Sequence, residues 1–258
     1  MSGHSPYQTL SDIYDAIRPS YPAALIQDIL DYAHPGFNPP LLEIGAGTGK
    51  ATEAFLARNY SIDAVELEAS MAAHLSQKLD SPKLNLYVSP FETWAPPRTD
   101  YPLIYCAQAF HWLDKRIKFK KCRQILSSDG HLALFWYDPL PPRTSNADQA
   151  ARHVKEKYFG PEAQTQAVST ASREQEIRET DCFSLVFRRQ YDIVLHNTPE
   201  QALMAMQSTP AFAEKFGQLT PENQQQFLQE FTDAIVQHGG YLDAPLRYSL
   251  YILKPVHL

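Results

Sequence analysis

No apolar run in the 258-residue sequence is long enough to cross a membrane, and Met1–Tyr7 holds no charged stretch leading into an apolar one. The expectation is a cytoplasmic protein with no signal peptide and no membrane partner. Cysteine is scarce. Cys106, Cys122 and Cys182 stand far apart with no C-x-x-C pair, which fits small core residues in a reducing compartment rather than a disulfide framework. The nine histidines form no H-x-x-x-H or H-x-x-E-H pairing, so no metal site is expected. Basic charge is also in short supply, with a net charge of −6. The densest basic stretch, Lys115–Arg123, is interrupted by Ile117, Phe119 and Cys122 at near-helical spacing. It reads as a solvated helix face, and a nucleic-acid partner is not expected. Internal repeats and long low-complexity linkers are absent.

What is present suits one globular domain with a cap. Hydrophobic residues make up 44% of the chain and charged residues 20%. The densest signal is Leu41-Leu42-Glu43-Ile44-Gly45-Ala46-Gly47-Thr48-Gly49, an apolar strand with one acid running into three alternate glycines, with the helical stretch Lys50–Asn59 next. Such a turn lets backbone approach a ligand and points N–H groups at it from a helix start. Spacing separates the candidate ligands. A phosphate-cradling G-x-x-x-x-G-K-[ST] loop ending at Gly49-Lys50 would need glycine at Ile44 and a hydroxyl at Ala51. The dinucleotide pattern G-x-G-x-x-G would need glycine at Lys50. Both fail, leaving E-x-G-x-G-x-G.

Strand and helix signals then alternate. Strands are expected at Leu41–Ile44, Ser61–Leu67, Leu84–Val88, Tyr101–Ala107 and His131–Tyr137, with helices at Lys50–Asn59, Ala69–Leu79 and Asp114–Leu126 and a turn at Ser128-Asp129-Gly130. This order implies right-handed crossovers and a doubly wound parallel sheet. Residues 139–180 are rich in Pro, Thr, Gln and charge, with helical patterning around Asn146–Tyr158, and read as a mobile helical cap. Beyond them come a β-rich stretch Phe183–His196, helices Pro199–Ser208 and Pro221–His238, and a strand Arg247–Leu253.

Glu66 ends the second strand, 21 residues beyond Gly45, where an acid in an open α/β sheet bonds ribose hydroxyls. It is favoured for that part over Glu68. Two further segments follow strands at the end where ligands bind in such sheets. These are Ser89-Pro90-Phe91-Glu92-Thr93-Trp94 and Ala107-Gln108-Ala109-Phe110-His111-Trp112-Leu113.

Together these segments resemble the class I S-adenosylmethionine-dependent methyltransferases. The glycine turn resembles their motif I. Ala109-Phe110-His111-Trp112 resembles the A-x-H-W segment of small-molecule methyltransferases of the methyltransferase-11 type. Tyr14-Asp15-Ala16-Ile17-Arg18-Pro19-Ser20-Tyr21-Pro22 resembles the Y-x-x-x-R-P-x-Y-P lead-in that precedes motif I. The [ND]-P-P-[YF] sequence of DNA and protein-amide N-methyltransferases is missing.

The resemblance implies a seven-stranded Rossmann-like sheet of order 3-2-1-4-5-7-6 with the last strand antiparallel. Within it, residues 1–38 would form an N-terminal lid, 39–138 the cofactor-binding core, 139–180 a helical cap insert that completes the lid, and 181–258 the closing strands and helices. It implies S-adenosyl-L-methionine as cofactor, held by Tyr14, Arg18, Glu43, Gly45, Ala46, Gly47, Gly49, Glu66, Leu67, Met71, Phe91, Glu92, Ala107, Gln108 and His111. Phe91 and Glu92 would lie along the adenine. Arg18 would pair with a carboxylate of cofactor or substrate, and Tyr14 would cover the sulfonium. The reaction would be methyl transfer to an O, N or C atom of a small molecule by in-line displacement, with His111 as candidate general base and Tyr14 second. The protein would be a monomer or homodimer. Two other readings stay open on the sequence, a module that binds the cofactor without catalysis and a nicotinamide-dependent oxidoreductase.

Overall fold

Leu41–Ile44 is β1, and all four residues are buried, as an apolar run at the centre of a sheet must be. The computed structural model describes residues 15–141, 145–161 and 170–256. Helix α1 (Ala23–Ala33) precedes β1 and buries Leu25, Ile26 and Ile29. After β1 come α2 (Lys50–Leu56), β2 (Ile62–Glu66), α3 (Ala69–Lys78), β3 (Leu84–Val88) and β4 (Tyr101–Ala107). A 3-10 turn at Phe110–Trp112 leads to α4 (Lys118–Ile125) and β5 (Leu126–Pro139). The chain continues through α5 (Asn146–Phe159), α6 (Thr170–Glu179), β6 (Phe183–Asn197), α7 (Pro199–Gln207), α8 (Pro210–Gly217), α9 (Pro221–Val236) and β7 (Leu242–Pro255).

The seven strands form one mixed sheet of order β3-β2-β1-β4-β5-β7-β6. β1 runs parallel to β2 and to β4, with Leu42 opposite Asp63 on one side and Ile104 on the other. β2 is parallel to β3 up to Glu66 opposite Val88, and β4 is parallel to β5 up to Ala107 opposite Phe135. The order reverses between β1 and β4, so a crevice opens there at the carboxyl ends of the strands.

Most elements expected from the sequence are present, and the departures have local causes. The turn expected at Ser128–Gly130 is an excursion inside β5. Tyr101 pairs with Leu126 and Leu103 with His131, so the intervening residues bulge out of the ladder. The helix expected from Asp114 starts at Lys118, because Asp114 instead turns its carboxylate onto the backbone N–H of Arg116 at 2.9 Å. Helix α6 has no apolar stripe, only Ile177 among polar residues and alanine, and periodicity does not reveal it.

The chain divides into two units. One comprises Pro19–Tyr137, Val168–Tyr191 and Tyr248–Leu258, and holds the sheet core of Leu42, Ile44, Val65, Ile104, Leu132, Leu134 and Trp136. The other comprises Met1–Arg18, Asp138–Ala167 and Asp192–Arg247, and packs Phe227, Phe231 and Ile235 of α9 against Ala151 and Ala202. The described residues of the 139–180 stretch are therefore shared out, with α5 in the second unit and α6 in the first. Helix α5 is started by a capping box in which Ser145 and Asp148 exchange side-chain to backbone bonds.

Candidate active site

The glycine turn is held by contacts that differ from one glycine to the next. Gly45 has φ +71°, and a Cβ built on it would stand 2.4 Å from the Cβ of Ala109. It is glycine because the loop after β4 packs directly on it. A Cβ on Gly49, which has φ +85°, would stand 2.9 Å from Leu79 and 3.1 Å from Leu75, at the C-terminal end of α3. Gly47, with φ +57°, meets nothing within 4 Å. Of the three, it is Gly47 that has open space in front of its backbone.

The N–H groups of Gly45, Ala46, Gly47 and Gly49 are engaged within the protein, whereas the sequence leads one to expect them to point at a ligand. Those of Gly45 and Ala46 donate to the carbonyl of Val65 at 2.8 and 3.3 Å, and that of Gly49 donates to the carbonyl of Ala46 at 2.9 Å. The N–H of Gly47 donates to Oε2 of Glu66 at 2.7 Å, while Oε1 of Glu66 accepts from the N–H of Glu68 at 2.8 Å. A phosphate cradle needs such donors exposed and no carboxylate beside them. Here those four donors are taken and a carboxylate sits on the turn. Each oxygen of Glu66 keeps a second acceptor site, the chemistry that ribose hydroxyls require. Glu68 is exposed and only starts α3.

Glu43 is corrected from a ligand contact to a buried support. Its carboxyl is 1% exposed, and Oε2 accepts from the hydroxyls of Thr52 at 2.6 Å and Tyr105 at 2.9 Å. It thereby ties β1 to α2 and β4 beneath the glycine turn. Burial, opposed by these two hydrogen bonds and reinforced by the charge of Glu66, pushes its pKa up to about 7.

Phe91 and Glu92 are likewise engaged elsewhere than expected. Phe91 is buried in the sheet core, with the Lys121 ammonium 5.0 Å from its ring centroid. Glu92 accepts from the N–H of Asp114 at 2.9 Å. Lys121 also donates to the carbonyl of Phe91 at 2.6 Å, so α4 fixes the shape of this loop. The apolar surface at the strand ends comes from other residues. Leu67 after β2 is 59% exposed, Val88 at the end of β3 is 54% exposed, and Trp112 after β4 is 82% exposed. Leu67 was legible in the sequence, whereas Val88 reads there as an ordinary strand residue. Met71 lies in the first turn of α3, partly buried.

Beyond β4, Ala107 is nearly buried and Gln108 adopts φ +63°, the left-handed region that costs a non-glycine residue energy. Two bonds to β5 hold it there. Its N–H donates to the carbonyl of Phe135 at 3.0 Å, and its side-chain amide donates to the carbonyl of Tyr137 at 3.1 Å.

His111 stands in the 3-10 turn that follows. The indole N–H of Trp136 donates to its Nδ1 at 3.2 Å. Indole nitrogen is only a donor, so Nδ1 carries the lone pair and Nε2 the proton. Trp136 was not singled out in the sequence, where it reads only as an aromatic of a buried strand. Tyr14, the second candidate base, lies outside the described residues. Arg18 is exposed and falls in the second unit.

The comparisons with known proteins agree with this geometry. Residues 41–130 match the model of a methyltransferase domain family. A probable S-adenosylmethionine-dependent methyltransferase of Saccharomyces cerevisiae, CRG1, is 32% identical over 133 residues, which cover 48% of this chain and 44% of that one. A malonyl-[acyl-carrier protein] O-methyltransferase of Ilyobacter polytropus is 33% identical over 97 residues, 36% of each chain. The chain thus spans less than half the length of these curated relatives. Among solved structures, a putative type II methyltransferase of Anaeromyxobacter dehalogenans superposes with TM-score 0.61 at 18% identity, covering 92% of this chain and 96% of its own, which shows the shared fold. The sheet order, the acid clamped on the glycine turn and these matches define a class I methyltransferase fold. Residues 41–130 are similar to a methyltransferase domain, and the fold is the one that class I S-adenosylmethionine-dependent methyltransferases share.

Proposed function

We propose that this chain binds S-adenosyl-L-methionine and transfers its methyl group to a nucleophilic atom of a small molecule. The observation that carries this reading is the carboxylate of Glu66 bonded to the N–H of Gly47 at 2.7 Å, beside the open face of that glycine. A negative charge at this point repels a pyrophosphate and welcomes hydroxyl donors. That favours a nucleoside cofactor without phosphates over a nicotinamide dinucleotide. Gly47 would let the cofactor lie against the turn, Glu66 would accept from its ribose, and Leu67 and Val88 would cover the base. Bound at this place, the cofactor supplies a methyl group already activated by a sulfonium. The chain's own work is then to align the acceptor and exclude water, which can provide ~7–11 kcal/mol in favourable cases.

The acceptor is an O, N or C atom of a small organic molecule. The net charge of −6 and the missing [ND]-P-P-[YF] sequence support that choice over a nucleic acid. One relative is described as an O-methyltransferase, which fits an oxygen acceptor. Titration calorimetry with S-adenosylhomocysteine tests the cofactor, with micromolar affinity expected, roughly −8 kcal/mol. Binding of NADH with none of S-adenosylhomocysteine would overturn it.

A further inference from the structure

Apart from the glycine turn, α4 and α6 enclose a cleft of about 570 Å3, within the size range of small-molecule sites. Phe119 and Cys182 give it an apolar lining. The segment around α4 adds Lys115, Arg116 and Lys120, while α6 and the residues after it add Glu176, Glu179 and Asp181. Opposite charges around one cleft would be expected to pair, and most of these do not. Arg116 is engaged by Asp114, to which it donates twice, at 3.1 and 2.6 Å. Among the described residues, Lys115 and Lys120 make no ion pair. Glu179 accepts from the side-chain amide of Gln175 at 2.7 Å and Asp181 from the thiol of Cys182 at 3.3 Å, and neither donor is a cation. Two ammonium groups and two carboxylates thus border the same cleft without neutralising one another. The ion pair that does join α4 to α6 is Lys118 with Glu176. Oε1 of Glu176 stands 2.8 Å from Nζ of Lys118 yet out of line for a hydrogen bond. The same ammonium donates to the carbonyl of Phe110 at 3.0 Å. A charge entering the cleft therefore acts on a carboxylate whose partner holds the backbone beside His111.

We propose that this cleft is an effector site for a zwitterion of amino-acid size, whose carboxylate is held by Lys115 and Lys120 and whose ammonium is held by Glu179 and Asp181. Its apolar body lies over Phe119. A lone anion would be drawn by the two lysines and repelled by the two acids, and a lone cation the reverse. A molecule carrying both charges meets both sets with charge-assisted bonds. The bound ammonium also competes with Lys118 for Glu176. A ligand shifts an equilibrium only through a difference in contact between two states, and this competition supplies that difference. Occupancy loosens the tie between Lys118 and α6, and the backbone at Phe110 and His111 registers it. The inference goes beyond the methyl-transfer reading and does not depend on it.

Titration calorimetry on the full chain at pH 7 tests the site with three zwitterions, phenylalanine, leucine and the dipeptide glycyl-phenylalanine. At least one should bind with a Kd below about 1 mM. Phenylalaninamide, which lacks the carboxylate, and N-acetylphenylalanine, which lacks the ammonium, should each bind about tenfold or more weakly than phenylalanine. Lys120→Gln and Asp181→Asn change exposed side chains, so both variants should fold, and each should weaken binding about fivefold or more. No binding by any of the three zwitterions overturns the site. Equal binding by either singly charged derivative overturns the ligand class, and unchanged affinity in both variants overturns the location. Transmission is read in 1H–15N spectra of the wild-type protein. Saturation should move the amides of Phe110 and His111 and leave those of α1 in place. Saturation with the amides of Phe110 and His111 unmoved overturns the link through Lys118.

Discussion

A Cβ on Gly45 would stand 2.4 Å from the Cβ of Ala109, so the turn after β1 and the loop after β4 touch with no space for one more carbon. Two residues away, Gly47 faces open space. The two positions should therefore respond oppositely to the same substitution. Gly45→Ala combines a steric conflict with a left-handed φ and should destabilise by about 3 kcal/mol. Gly47→Ala carries only the backbone strain, about 1–2 kcal/mol, yet should weaken S-adenosylhomocysteine binding at least about tenfold, because its methyl fills the space the ligand needs. Chemical denaturation and calorimetry on both variants separate the effects. Unchanged affinity in a folded Gly47→Ala protein would mean that the turn does not meet the ligand.

Glu66 and Glu68 are two residues apart and differently placed. Glu66→Ala removes the acceptor for the Gly47 and Glu68 N–H groups as well as a ribose partner, and should weaken cofactor binding by about 1–3 kcal/mol. Glu68→Ala, at an exposed carboxylate, should change it by far less. Calorimetric titration of the two variants would expose an error if their ranking came out reversed.

The buried carboxyl of Glu43 makes stability depend on pH. Its pKa is raised from 4.5 to about 7 by burial, so between these values the folded chain holds a proton that the unfolded chain has lost. Stability from this group is then greatest below pH 4.5 and falls as pH rises toward 7, by an amount of order 3 kcal/mol. Glu43→Gln keeps an oxygen for Thr52 and Tyr105 and cannot ionise. Urea melts at pH 5 and pH 8 should show a smaller loss of stability in the variant than in the wild type. Parallel losses would show that Glu43 is ionised in the fold or titrates normally.

Lys118 joins α4, the His111 turn and α6 through one buried ammonium. Lys118→Met should cost about 3 kcal/mol, since it leaves Glu176 and the Phe110 carbonyl without their partner. Adding Glu176→Leu should return part of that loss. A thermal melt of the single and double variants checks it, and an additive loss would show that the two side chains do not act as a pair.

Much of this was readable before any coordinates. Alternating apolar strands and amphipathic helices signalled the parallel sheet, since each of those elements carries its burial in its own periodicity. The three glycines and Glu66 were legible because conformational freedom and an acid at a strand end are local properties. Helix α6 was not, because it is held by Glu174 to Tyr251 and by Glu176 to Lys118, polar contacts that leave no periodic trace. For the same reason the sequence named the glycine turn and His111 but not the hydrogen bonds they make. Which group accepts those N–H bonds, and which nitrogen of the ring keeps its proton, depend on partners distant in sequence. Glu66 reaches Gly47 across 19 residues, and Trp136 reaches His111 across 25. The amino-acid pattern by itself determined the strand–helix alternation, the glycine turn and the acid beside it, and the strand order came from the family resemblance. Only the packed structure decided how each polar atom is satisfied, because a hydrogen bond is settled by the atom that arrives from elsewhere in the chain.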